Sequence, residues 1–175
     1  MNSNNAWDQE ILDIVNEHDE VIGQMTRTEV YAQEIFHQIR GVWLFIRNTE
    51  GRLWIPRRAA HKRACPLMLD GSAVGTVESG ESYDQAIARE AKEELGIELH
   101  TVELRQVAKF APREGITLCH VTIYELVSDE CPPYDTEEFS EYYWLSPQEL
   151  IGRLEAGDSS KSDLPKIVKQ VYLKS

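Results

Sequence analysis

Three glutamates, Glu90, Glu93 and Glu94, stand at positions i, i+3 and i+4, the spacing that places side chains on one face of an α-helix within a turn. Like charges at this spacing cost an isolated helix roughly 0.2–0.5 kcal/mol per pair, so a cation is expected to offset them. Mg²⁺ and Mn²⁺ are hard ions that take oxygen ligands, and Mg²⁺ is commonly held by a few carboxylates together with the phosphates of a substrate. Such an ion polarises a phosphoryl oxygen and lowers the pKa of bound water, leaving a carboxylate to take the proton. Arg89 adjoins the acidic face and can orient a glutamate, while the stretch Gly75 to Gly80, read as a loop, offers backbone carbonyls near the helix start. A glutamate-rich helix considered alone is more often a solvated acidic face balanced by residues such as Arg89 and Lys92.

The helix that would carry these residues is well marked. Ser82 with Gln85 three residues later is a capping-box start. Tyr83, Ile87, Ala91 and Leu95 recur every four residues as a narrow apolar stripe, and Gly96 stands where a left-handed residue would end the helix. Before it, Ile11 to Thr26 reads as a hairpin around Asn16–Asp19, and Arg27 to His37 as irregular chain with no more than one helical turn. Gly41–Arg47 and Leu53–Arg57 read as antiparallel strands across the turn Asn48–Gly51, and Pro56, which lacks an amide donor, puts the second strand at an edge or at its end. Strands are expected at Glu103–Phe110, Leu118–Val127 and Glu141–Leu145. Helices are expected from Ser146-Pro147 to Leu154 and from Leu164 to Leu173. Only the short polar run Asp158–Asp163 interrupts this pattern. The order of elements predicts one α/β (α+β) sandwich domain over residues 1–175, with the hairpin, about residues 8–26, as an N-terminal extension.

The 175 residues carry 18 basic and 30 acidic side chains, a net charge of −12, with 42% hydrophobic and 27% charged residues. A core can be built, and binding of nucleic acid through an overall basic field is excluded. No run approaches the roughly 20 apolar residues of a membrane span. Cys65, Cys119 and Cys131 form no CxxC pair and point to free thiols in a reducing, cytoplasmic setting.

The passage Gly75 to Ile97, GTVESGESYDQAIAREAKEELGI, resembles the Nudix box, G-x5-E-x7-R-E-U-x-E-E-x-G-U with U apolar. Gly75, Glu81, Arg89, Glu90, Ala91, Glu93, Glu94, Gly96 and Ile97 meet every fixed position. The resemblance implies a Nudix-type α/β/α sandwich with a mixed β-sheet and a helix bearing the box. It further implies a hydrolase that cleaves the pyrophosphate linkage of a small organic diphosphate, nucleoside or other. By position, Glu90, Glu93 and Glu94, with the Gly75 carbonyl, would hold Mg²⁺ or Mn²⁺, and Arg89 would orient them. The general base is left among Glu93, Glu94, Glu137, Glu138 and Glu141. Nudix proteins are frequently dimers, so a homodimer is also compatible.

A wider likeness, over about Ile11 to Leu150, extends to the branch containing isopentenyl diphosphate isomerase, through DIVNEHDEVIG, TRTEVY, His37 before Trp43-Leu44-Phe45, and RRAAHKRACP. The isomerase uses a cysteine next to the box glycine, and this chain has Val74 there; of the isomerase's metal ligands only His37 has a counterpart. The chain therefore resembles the YfcD-like Nudix group, hydrolase in box and isomerase-like in scaffold. A ligand-binding module without turnover is the alternative, and isomerase activity a weaker one. The basic cluster Arg57 to Arg63 matches positions with which the isomerase branch grips a diphosphate, and Arg58 and Lys62 are the preferred contacts. Trp43, Trp54 and Trp144 read as core, and His37 is left out of the metal site.

Overall fold

Residues 7–174 are described by the computed structural model. The apolar run Val42–Ile46 forms the centre of β3 (Arg40–Arg47), which is buried on both faces, as a run without alternation requires. Around it lie β4 (Leu53–Arg58), β5 (Ala73–Thr76), β6 (Leu104–Phe110), β7 (His120–Val127) and β8 (Phe139–Leu145). They form a six-stranded sheet in the order β6-β7-β3-β4-β8, with β5 paired to β3. The β3–β7 pair is parallel and the others are antiparallel, so the sheet is mixed.

Alternation along the strands feeds two cores. Val42, Leu44, Ile46, Trp54, Tyr124 and Leu126 face α2 (Tyr83–Leu95) through Ile87, Ala91 and Leu95. Trp43, Phe45, Leu53, Ile55, Val121 and Ile123 face α3 (Pro147–Glu155) and α4 (Leu164–Tyr172) through Leu150, Ile151, Leu164, Ile167 and Val168. The result is the expected α/β/α sandwich. A third cluster, Leu12, Ile14, Val30 and Ile39, packs the separate hairpin β1 (Ile11–Val15) and β2 (Val21–Thr26) onto the body. Among the described residues no helix is long and apolar enough to cross a membrane.

Three expectations need correction. The segment read as irregular contains α1 (Arg27–Gln33). Thr26 accepts from the Glu29 amide, and the Glu29 carboxylate accepts from the Thr26 amide, a capping box that makes a short helix of T-R-T-E-V-Y. The stretch after Val74 is not all loop, since Gly75 lies in β5 opposite Val42. Of the two places expected for Pro56, the strand end holds and the edge does not, because β4 lies between β3 and β8 and ends two residues later at Arg58. β3 and β4 pair only at Arg47–Leu53 and then diverge, and the segment around Leu69 fills the gap. There the Pro56 carbonyl accepts from the Asp70 amide at 3.0 Å and the Arg58 amide donates to the Met68 carbonyl at 3.0 Å. The missing Pro56 donor thus faces this irregular segment and costs the β4–β8 ladder nothing.

Candidate active site

Helix α2 is fixed at both ends by its own sequence. Ser82 Oγ accepts from the Gln85 amide and the Gln85 side chain accepts from the Ser82 amide, while Gly96 ends the helix at φ 65°. Burial of Ala86, Ile87, Ala91 and Leu95 against the sheet then sets where each glutamate goes. Glu94 falls beside the apolar stripe and is buried with it. Glu90 lies at the margin with its side chain 12% exposed, and Glu93 points outward at 61%.

The buried acids rest against β5. The Val74 amide donates to Glu94 Oε2 at 3.1 Å. A Cβ added to Gly75 would stand 1.9 Å from Glu90 Oε1, so the Glu90 carboxylate occupies the space that any other residue type at position 75 would need. Arg89 ties helix to loop: its Nε and Nη2 reach Glu81 at 2.9 and 3.0 Å, its Nη1 reaches Glu90 at 2.7 Å, and its Nη2 also donates to the Thr76 carbonyl at 3.0 Å. Glu93 lies 3.5 Å from the same guanidinium. Arg89 thus bonds Glu81, Glu90 and the Thr76 carbonyl at once and lies within reach of Glu93.

Burial pushes the Glu94 carboxyl well above the usual carboxylate range. Glu90, Asp70 and Glu138 add to that effect, and Lys161 opposes it. Glu90 is also raised, again by burial first and against the pull of Arg89. Two buried carboxylates kept from ionising freely, beside backbone carbonyls and a third, exposed acid, form an all-oxygen donor set that suits a hard divalent cation. Among the described residues no three acidic, histidine or cysteine side chains already converge as an ion cage. Substrate oxygens and water would complete the shell, the usual arrangement for Mg²⁺.

Gly75, Arg89, Glu90, Glu93 and Glu94 share a cleft of about 430 Å³ with Lys62, Glu138 and Lys161. Arg58 reaches its wall, but the expected phosphate contact is otherwise engaged. It is buried, its Nε donates to the Ala64 carbonyl at 3.0 Å, and its Nη1 donates to Asp70 at 3.2 Å. Lys62 is at the cleft and 2.5 Å from Glu138. Of the later acids considered as base, Glu138 alone lines the cleft. Glu137 is exposed beside His61, and Glu141 is held by Arg57 and Tyr143. His37 is on a surface turn and faces a different hollow. A hollow of about 610 Å³ beside Arg47 and Arg105 is larger, but its acid, Glu125, is already engaged by both arginines. Asp70 and Lys161 went unnoticed in the sequence. Neither has a neighbouring motif, and only the pairing of Leu69 with Ser160 brings them together.

This geometry agrees with known proteins. A model of the NUDIX domain matches residues 37–165. A Nudix hydrolase of Deinococcus radiodurans is 41% identical over 163 residues, covering 93% of this chain and 94% of that protein. An uncharacterised Nudix hydrolase of Nostoc sp. is 45% identical over 165 residues, 94% of this chain and 97% of that one. The uncharacterised Nudix hydrolase YfcD of Escherichia coli K12 is 33% identical over 144 residues, 82% of this chain and 78% of that one. The crystal structure of DR0079 from D. radiodurans superposes with a TM-score of 0.89 at 41% identity, over 93% of this chain and 99% of that chain. With the box residues gathered in one cleft of the sandwich, the chain belongs to the Nudix hydrolase family.

Proposed function

We propose that this hydrolase is a Mg²⁺-dependent pyrophosphohydrolase that cleaves the P–O–P linkage of a small organic diphosphate by attack of water. The observation that carries this reading is the packing of the buried Glu90 and Glu94 carboxylates on β5, in a cleft that also holds exposed Glu93 and basic Lys62. Glu90, Glu93 and Glu94, with the Gly75 carbonyl, would hold the ion, and Mn²⁺ suits the same donors. When bound, the ion supplies charge neutralisation at the phosphoryl oxygens and a water of lowered pKa. Arg89 fixes Glu90 through its bond to Glu81 and the Thr76 carbonyl. Glu93, the most exposed of the three, would take the water's proton, a choice supported by its 61% exposed side chain, and Glu138 is the later acid within the cleft.

An isomerase reading gains no support. Val74 offers no thiol, and Cys119, a half-buried cysteine on the cleft wall, has its thiol pushed up to about 12 by desolvation, which makes it a poor proton carrier at neutral pH. The three unpaired cysteines fit a cytoplasmic protein.

The test is release of phosphate or nucleotide from a panel of nucleoside diphosphate sugars, dinucleotides and prenyl diphosphates, with Mg²⁺, with Mn²⁺ and with EDTA. Cleavage of at least one compound with either metal, abolished by EDTA, is expected. Silence across the panel with ligand-induced thermal stabilisation would replace the hydrolase with a binding module.

A further inference from the structure

The cations around the cleft are not equivalent. Arg58 is committed to Asp70 and the Ala64 carbonyl, and Arg89 to Glu81, Glu90 and the Thr76 carbonyl. Among the described residues the two lysines at the cleft each have one ionic partner, Lys62 in Glu138 and Lys161 in Asp70, but Asp70 is already neutralised by Arg58 whereas Glu138 has no second cation. Lys161 Nζ lies 2.7 Å from Asp70 Oδ2. An ammonium has three donors, so two are left for the cleft that the side chain lines.

The placement of Lys161 is built. The Leu69 amide donates to the Ser159 carbonyl at 2.9 Å and the Lys161 amide to the Leu69 carbonyl at 3.1 Å, which lays the segment before α4 along the cleft wall. Asp70 is fully buried, and its other oxygen accepts from the Gly71 amide at 2.8 Å. One buried carboxylate thus carries two cations, Arg58 behind it and Lys161 at the cleft. The excess positive charge lies in a chain of net charge −12, whose overall field repels an anionic ligand. A positive site at the glutamate cleft gives the phosphates a local attraction that this field lacks.

We propose that Lys161, held by the Asp70–Arg58 pair, is a phosphate-binding residue of the cleft and occupies the role that the sequence pattern suggests for Arg58. The proposal rests on the diphosphate reading above for the identity of its ligand. Its ammonium would grip a phosphoryl oxygen of the substrate and hold the P–O–P linkage against the glutamates.

The test compares the full-length chain with Lys161→Met, Lys161→Gln and Lys161→Arg, and with Lys169→Met as a surface control, since Lys169 is exposed and on α4. Asp70 keeps Arg58 when Lys161 is replaced, so no buried charge is stranded and the variants are expected to fold. The readouts are binding of inorganic pyrophosphate by calorimetry, with and without Mg²⁺, and the KM and kcat of the diphosphate that the wild type cleaves. Met and Gln are expected to weaken pyrophosphate binding and raise KM by about tenfold or more with kcat little changed. Arg should restore most of the affinity, and Lys169→Met should change nothing. Wild-type affinity and KM in both Lys161→Met and Lys161→Gln would overturn the proposal, as would a wild-type chain that does not bind pyrophosphate. Pyrophosphate binding that depends on Lys161 in a chain that hydrolyses nothing would sink the hydrolase reading and leave Lys161 standing.

Discussion

At Gly75 a single methyl group separates an assembled cluster from a disrupted one. The Glu90 carboxylate already fills the space where a Cβ would project. Gly75→Ala therefore has to push aside the buried Glu90 side chain or the β5 backbone, and both are hydrogen-bonded or paired to neighbours. The variant is expected to lose turnover by about tenfold or more and to fall in Tm by several degrees, with a cost of roughly 1–3 kcal/mol. Paired rate and melting measurements check this, and wild-type values for both would mean that Gly75 does not set the position of Glu90. Residue identity was legible wherever a fixed spacing encoded it, as for Glu90, Glu93, Glu94, Arg89 and Gly75. At Arg58 the sequence supplies the guanidinium, and the fold places it on the cleft wall, buried against Asp70. Lys161 was invisible because its neighbours Ser160 and Ser162 read as a solvated polar run.

Elements with a local signal were the readable ones. The box helix, the hairpin and α3 each carry their own cap or turn chemistry, and the structure has them within a few residues of expectation. Helix α1 carried a capping box as well, but its seven residues lack an apolar period strong enough to draw attention. Strand β5 has four residues, the third of them the box glycine, so its strand character comes from pairing with β3 and not from its own composition. Besides its backbone bonds to Leu69, the segment before α4 is held by Asp158, whose oxygens take Arg57 at 2.9 and 3.0 Å and Arg153 at 2.5 Å, joining β4, α3 and the segment that carries Lys161. The bond to Arg57, against some burial and with help from Arg153, holds the Asp158 carboxyl far below its ordinary value. A depressed folded-state pKa gives stability that is present above the unfolded pKa and lost as pH falls toward the folded one. Asp158→Asn is thus expected to cost roughly 1–3 kcal/mol at neutral pH, with the gap from wild type beginning to close below about pH 4. A Tm difference that stays constant from neutral to acid pH would show that the carboxylate charge contributes nothing there.

The whole molecule places one cleft where chemistry from several distant stretches meets: the β5–α2 box, the loop after β4, the start of β8 and the segment before α4. An acidic chain of net charge −12 gathers buried carboxylates there and sets a few lysines against them. That arrangement, burial first and then the neighbouring Glu90, Asp70 and Glu138, makes Glu94 costly to ionise. On the proposed function, Glu94 serves the ion and not the fold. The direct measurement is the Mg²⁺-dependent initial rate of Glu94→Gln beside wild type, on a diphosphate the wild type cleaves, with Tm of both taken in EDTA. Gln keeps the shape and can still accept from the Val74 amide, so the variant should melt at or above the wild-type temperature while losing on the order of 100-fold or more in rate. Wild-type turnover in a folded Glu94→Gln chain would mean that Glu94 does not hold the ion.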